Sequence, residues 1–213
     1  MREKTRVVRV GQVQQPPKRG LDESDNEGTR IGVPGSVRWS NLRGLFDAHH
    51  RALAEELAGH PDPGVLVCVL GPAGIAGSLW LAATSELRVG TLGRHEQVDL
   101  RLPGDDALSL RHCLIMVRRL GDGVRIHVLD LSSSAGMQSE DFEPVRALDA
   151  DGHFFLHVPG AVLAVFPTGA PLPWDPEALR PFESLAPREV HGQTLPPAPR
   201  WAAAAPSDER SSV

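Results

Sequence analysis

Beyond Gly64 the chain becomes a succession of short apolar runs, most of them cut off within a few residues by glycine, proline or aspartate. The runs cover residues 65–70, 78–83, 87–93, 98–102, 112–120, 124–131, 153–158 and 161–166. Between them stand turn formers: Gly71, Pro72, Gly74 and Gly77, then Gly104, Asp105 and Asp106, then Gly121, Asp122 and Gly123, then Asp149, Asp151 and Gly152. Such runs are too short for packed helices, and no 3.6-residue period links them. Short strands at this spacing predict an all-β sandwich or barrel.

The backbone breakers say where that domain stops. Of 19 prolines, five fall in residues 1–63, five in 64–170 and nine in 171–213. Residues 1–39 pass from a basic stretch (Arg2 to Arg9, then Lys18 and Arg19) to an acidic one (Asp22, Glu23, Asp25, Glu27) with little that could build a core, and read as a disordered arm. From Ser40, a plausible N-cap, Leu42, Leu45, Phe46, His49, Leu53 and Leu57 recur at helical spacing, opposite Arg43, Asp47, Arg51 and Glu55. Residues 40–60 are therefore expected to form an amphipathic helix that packs on the domain, ended by Gly59, Pro61 and Pro63. Residues 64–168 are the domain. Residues 169–213 form a second disordered arm, a Pro- and Ala-rich tail with a turn or two of helix expected between Pro176 and Leu185.

Charge and cysteine content narrow the function. The net charge of -5 offers no basic field for nucleic acid. Within 64–168 eight Arg face twelve Asp and Glu, so an anionic ligand would have to be held by a few well-aimed donors. Twenty of the 22 basic residues are Arg, the side chain suited to forked phosphate contacts. No apolar run could cross a bilayer, and no hydrophobic segment follows the basic residues near the N-terminus. No membrane partner is expected. Cys68 and Cys113 stand 45 positions apart in apolar stretches without a second ligand at metal spacing, which predicts free thiols, no metal and a cytoplasmic protein.

Three segments inside the β region carry a chemical pattern. Leu87 to Arg94 is a strand that ends in Gly93-Arg94; Ser109 and His112 stand three apart before an apolar strand; and Asp130-Leu131-Ser132-Ser133-Ser134-Ala135-Gly136-Met137 follows the next one. In this order and spacing they resemble the forkhead-associated (FHA) domain, with its strand ending in Gly-Arg, its Ser-x-x-His loop and its Asp-Leu-x-Ser-x-Asn-Gly-Thr loop. The resemblance spans residues 64–168 and takes in Asp151-Gly152 near the usual place of a Gly-Asp turn. Each piece alone is weak; the resemblance rests on the three together, in order.

The resemblance implies an FHA-like β-sandwich whose loops at one end grip a phosphothreonine in a partner protein, a Ser/Thr kinase or its substrates being the partner class. Arg94 would supply the guanidinium and Ser109 a hydroxyl, Arg111 would add charge or meet the flanking peptide, and Ser134 would line the pocket. Gly93 and Gly136 would let the first and third loops turn tightly, and His112 would tie the loops together. At Ala135 the family has an Asn that holds the peptide backbone, and Met137 replaces a small Thr. A lost hydrogen bond of this kind costs about 1 kcal/mol, or about five-fold in affinity. Two readings follow: a phosphothreonine-dependent module with weakened binding, or a degenerate domain that scaffolds a partner without phosphate.

Other chemistry fits less well. Ser109, His112 and Asp130 lack the Gly-x-Ser-x-Gly elbow and the strand–helix alternation of a hydrolase, so no enzyme is expected. The run from Gly71 to Ser78 lacks the Lys of a phosphate loop and reads as a β-turn. His49, His50, His153 and His157 have no thiolate or carboxylate at ligand spacing and read as ordinary surface or half-buried histidines. No cofactor is implied. Trp80 reads as core, and the sequence leaves open whether Trp39, Trp174 and Trp201 cover the sandwich or meet a partner. Thr29, beside the acidic stretch, and Thr5 are positions a kinase could reach; by analogy with the family, phosphorylated Thr29 would compete for the domain's own pocket, whereas an unmodified linker threonine is the plainer reading.

Overall fold

A computed structural model describes residues 6–10 (backbone only), 42–102 and 108–193. Thr5, Thr29, Ser40, Trp39, Trp201, the turn at Gly104 to Asp106, most of the arm expected over 1–39 and the end of the tail from residue 194 lie outside the described residues. The expected helix is α1 (Leu42–Ala58), and its buried residues Leu42, Leu45, Phe46, Leu53 and Leu57 are those of the predicted stripe.

Among the described residues thirteen strands make two sheets. In chain order they are β1 (Arg6–Val10), β2 (Gly64–Gly71), β3 (Gly74–Ala82), β4 (Arg88–Gly93), β5 (Leu100–Arg101), β6 (Cys113–Leu120), β7 (Gly123–Asp130), β8 (Met137–Gln138), β9 (Pro144–Val145), β10 (Ala147–Ala150), β11 (Phe154–Val158), β12 (Ala161–Thr168) and β13 (Arg188–Gln193). The larger sheet runs β1-β13-β10-β7-β6-β4-β5 and the smaller β3-β2-β12-β11-β8-β9. Neighbours are antiparallel except β4 and β5, which pair in parallel. The predicted all-β sandwich is therefore the fold observed.

Inward side chains of the two sheets meet in one core: Val65, Val67 and Val69 from β2, Leu92 from β4, Cys113, Ile115 and Val117 from β6, Ile126 and Val128 from β7, and Leu163 and Val165 from β12. A second core lies on the far side of the smaller sheet. There Leu66, Cys68, Leu70, Phe155, Ala164 and Phe166 pack against α1 and Trp174. Phe46 of α1 is its centre, with ring centroids 5.6 Å from Phe155, 5.2 Å from Trp174 and 5.7 Å from Phe182. The molecule thus has three layers: large sheet, small sheet, helix with the segment that follows β12.

That segment departs from the tail expected over 169–213. Trp174 is buried, a 3-10 turn (Pro181–Ser184) replaces the one or two helical turns expected between Pro176 and Leu185, and β13 joins the large sheet beside β10. Proline content pointed to a loose chain, but Trp174, Phe182 and Leu185 supply enough apolar surface to hold it on the second core. The sheet therefore extends past residue 168.

His153 and His157 are buried rather than surface or half-buried. His153 stacks on Phe166, and its Nε2 accepts from the Arg188 guanidinium at 2.9 Å. Arg188 also forms a buried pair with Glu140 at 2.5 Å. Burial, then the Arg188 charge, pushes the His153 pKa down to about 3. Trp80 is half-buried, its Nε1 donating to Thr168 Oγ1 at 3.0 Å. Among the described residues no helix is long and apolar enough to cross a membrane, and no group of acidic, His or Cys side chains is placed to hold a metal ion.

Candidate functional site

The three motif segments are loops at one end of the large sheet: the first leaves β4, the second enters β6 and the third leaves β7. Because β6 and β7 are antiparallel with Cys113 opposite Asp130, the second and third loops must be neighbours. Backbone hydrogen bonds join all three. Arg94 N donates to Ser109 O at 3.2 Å, His95 N to Leu110 O at 3.0 Å, His112 N to Leu92 O at 2.7 Å, and Leu131 N to His112 O at 2.9 Å.

Gly93 is needed for close approach rather than for a turn. A Cβ there would lie 2.3 Å from the Leu110 carbonyl oxygen and 2.9 Å from Arg111 Cα, so any side chain would drive the first two loops apart. Gly136 is the conformational case: its φ of +70° lies in the left-handed region that favours glycine.

Arg94 is exposed, and its Nε donates to Leu108 O at 2.7 Å. One edge of the guanidinium is thereby fixed. Among the described residues no carboxylate pairs with Arg94, and the half-buried Ser109 hydroxyl has no hydrogen-bond partner. Arg111, Ser134 and Ala135 are exposed.

His112 is fully buried. Its Nε2 lies 3.0 Å from Gly136 O, and because a carbonyl can only accept, Nε2 carries the proton. Burial lowers its pKa, the Gly136 bond opposes that, and the Arg146 charge adds to it. A neutral ring that donates to the third loop is a structural tie, as the resemblance implies. The structure brings Arg94, Ser109, Arg111 and His112 into two hydrogen-bonded loops and sets the loop of Ser134, Ala135 and Gly136 against them. The Met137 side chain points away from them into the inter-sheet core, 1% exposed.

Four residues without a role at the site in the sequence pattern build the third loop: Asp130, Ser132, Ser133 and Arg146. Asp130, whose side chain is wholly buried, accepts from Ser133 N at 3.0 Å and pairs with Arg146. Ser133 Oγ accepts from Gly136 N at 3.0 Å, and Ser132 is held at a φ of +61°. Arg146 belongs to no motif and stands sixteen positions after Asp130, so nothing in the sequence pairs them.

A β-sandwich with its motif loops joined at one end is the arrangement that the resemblance to FHA domains implies. Among solved structures the chain is similar to the FHA domain of CT664 protein from Chlamydia trachomatis, with 18% identity over 48% of this chain and 96% of that one and a TM-score of 0.40. It is also similar to the FHA domain of yeast Dun1 in complex with a doubly phosphorylated peptide derived from Rad53, with 13% identity over 72% of this chain and 92% of that one and a TM-score of 0.38. A third similar structure is Mycobacterium tuberculosis EmbR in complex with a low affinity phosphopeptide, with 17% identity over 56% of this chain and 29% of that one and a TM-score of 0.38. No family model and no curated protein matches the sequence.

Proposed function

We propose that this chain is a phosphothreonine-dependent protein-binding module of Ser/Thr kinase signalling, and that it is not an enzyme. The observation that carries the reading is Arg94: exposed, fixed by one bond from Nε to Leu108 O, without a carboxylate partner among the described residues, and joined through its backbone to Ser109. A dianionic phosphate needs a guanidinium and a hydroxyl converging on it, and charge-assisted bonds of this kind are about twice as strong as neutral ones. On a chain of net charge -5 no diffuse field does that work. In this reading Arg94 and Ser109 hold the phosphate, Arg111 meets the phosphate or the flanking peptide, Ser134 lines the threonine pocket, and His112 with Gly93 and Gly136 keeps the loops together.

Ala135 favours a second reading. Its exposed methyl group offers nothing to a peptide backbone, which suits a scaffold that recognises its partner without phosphate. Fluorescence polarisation with phosphothreonine and plain threonine peptide libraries separates the two. The first reading expects binding of the phosphorylated library only, reduced at least tenfold in Arg94→Ala; equal binding of both libraries, unchanged by Arg94→Ala, selects the scaffold. Ala135→Asn is expected to tighten phosphopeptide binding about five-fold, the worth of one regained hydrogen bond. Unchanged affinity would mean that the third loop does not meet the peptide backbone.

A further inference from the structure

We infer that Arg146 is a positioning residue for the third loop and that, through it, the binding end of the sandwich is coupled to the C-terminal strand β13. The inference rests on the reading of these loops as a binding site. Its structural half stands without a ligand.

The third loop is not self-supporting. Ser132 holds a left-handed φ of +61°, which a residue with a Cβ adopts only when its surroundings impose it. The surroundings are two charged groups. Asp130 fixes the N–H of Ser133 at 3.0 Å, and Arg146 Nη1, which pairs with the other oxygen of Asp130, donates to the Ser133 carbonyl at 3.4 Å. With its peptide groups held, Ser133 turns its hydroxyl to Gly136 N, and Gly136 O receives the His112 ring proton. Ser134 and Ala135 are the two residues spanned by these bonds. Their placement follows from Arg146, through Asp130 and Ser133.

Arg146 has a second attachment. Its N–H donates to Gln193 O at 3.0 Å, and its carbonyl accepts from Asp130 N at 2.9 Å. One residue thus joins the end of β7, the third loop and the last residue of β13. Its side chain is 40% exposed, so burial does not explain its place, whereas the Asp130 side chain is wholly buried and Arg146 is its ion-pair partner among the described residues. A buried carboxylate stripped of its counter-charge is strongly unfavourable, so the loop would rearrange without the guanidinium. β13 lies outside residues 64–168, the segment that carries the motif pattern. A ligand that orders the third loop should therefore also order the end of β13, and loss of that strand's docking should weaken the ligand, because coupling is reciprocal.

The test uses the full chain, hydrogen exchange resolved to single amides, and the His112 ring Nε2–H resonance. Arg146→Met is expected to speed exchange at Ser133 and Gly136 at least tenfold and to remove the His112 ring signal, while Arg146→Lys retains most of both. The Trp80 indole N–H, bonded to Thr168 on the smaller sheet, serves as the reference and should be unchanged. If Arg146→Met does not fold, Asp130→Asn combined with Arg146→Met removes both charges together and is expected to show the same fast exchange at Ser133 and Gly136. Adding the phosphothreonine peptide library to the wild type should slow exchange over residues 190–193, and Arg146→Met should abolish that slowing. A general loss of thermal stability with normal exchange at Ser133 and Gly136 would overturn the inference. So would peptide binding that leaves 190–193 untouched. If neither library binds but the ligand-free exchange pattern is as expected, the phosphate reading fails and the role of Arg146 in the loop stands.

Discussion

The two sheets of the sandwich treat their outer faces in opposite ways. In β2 of the smaller sheet every residue from Gly64 to Leu70 is buried, because Val65, Val67 and Val69 point into the inter-sheet core while Leu66, Cys68 and Leu70 point into the layer beneath α1. In β6 of the larger sheet only the inward set is buried; Leu114 and Met116 are half-buried and Arg118 is exposed. Among the described residues nothing covers that outer face. There Leu129 and Val89 remain 36% and 46% exposed, and the His127–Asp149 pair, 2.7 Å apart, lies in water's reach. Identical backbone geometry thus yields a continuous apolar run where both faces are covered and an alternating one where a single face is.

The comparison predicts where substitutions hurt. Phe46→Ala removes the aromatic centre of the covered face and should cost about 3–5 kcal/mol, measured by urea denaturation. A value near zero would mean that α1 contributes nothing to the fold. Acid should act next, and mainly on the covered face. His153 is neutral in the folded chain with a pKa near 3, against about 6.5 when unfolded, so the unfolded chain binds the extra proton between these values. Stability from this group is complete above pH 6.5 and falls as pH drops toward 3. The urea midpoint should therefore fall between pH 7 and pH 4 more steeply in wild type than in His153→Gln, which keeps an acceptor for Arg188; equal slopes would show that His153 is not the group responsible. On the uncovered face Met116→Lys should stay within about 0.5 kcal/mol of wild type. A larger loss would show that something covers the big sheet after all.

The same contrast explains what could be read from the sequence. α1 and the longer strands announced themselves by period and by turn residues, and Gly93, Arg94, Ser109 and His112 by a pattern that the loops indeed bring together. β8, β9 and β10 were not legible, because two to four residues give no periodic signal. β13 was hidden by its setting: Arg188, Glu189, His191 and Gln193 look like tail, and only Val190 is buried, as an edge-side strand with one inward face requires. The same holds for the third loop. Ser133, at 3% exposure, is its structural serine, yet nothing in a run of three serines says which one turns inward. Arg146 could not be found by spacing, since its partnership with Asp130 is made by pairing β10 beside β7.

Burial also silences the chain's two thiols, and does so at separate depths. Cys68 faces the layer under α1 and Cys113 the core between the sheets, and desolvation pushes both pKa values up to about 12. Neither sulfur carries a thiolate at neutral pH, so neither should react with an alkylating reagent while its layer is closed. Each is then a clock for a different event. Labelling at Cys68 alone would time the lifting of the helix from the small sheet, and labelling at both together would time the parting of the sandwich.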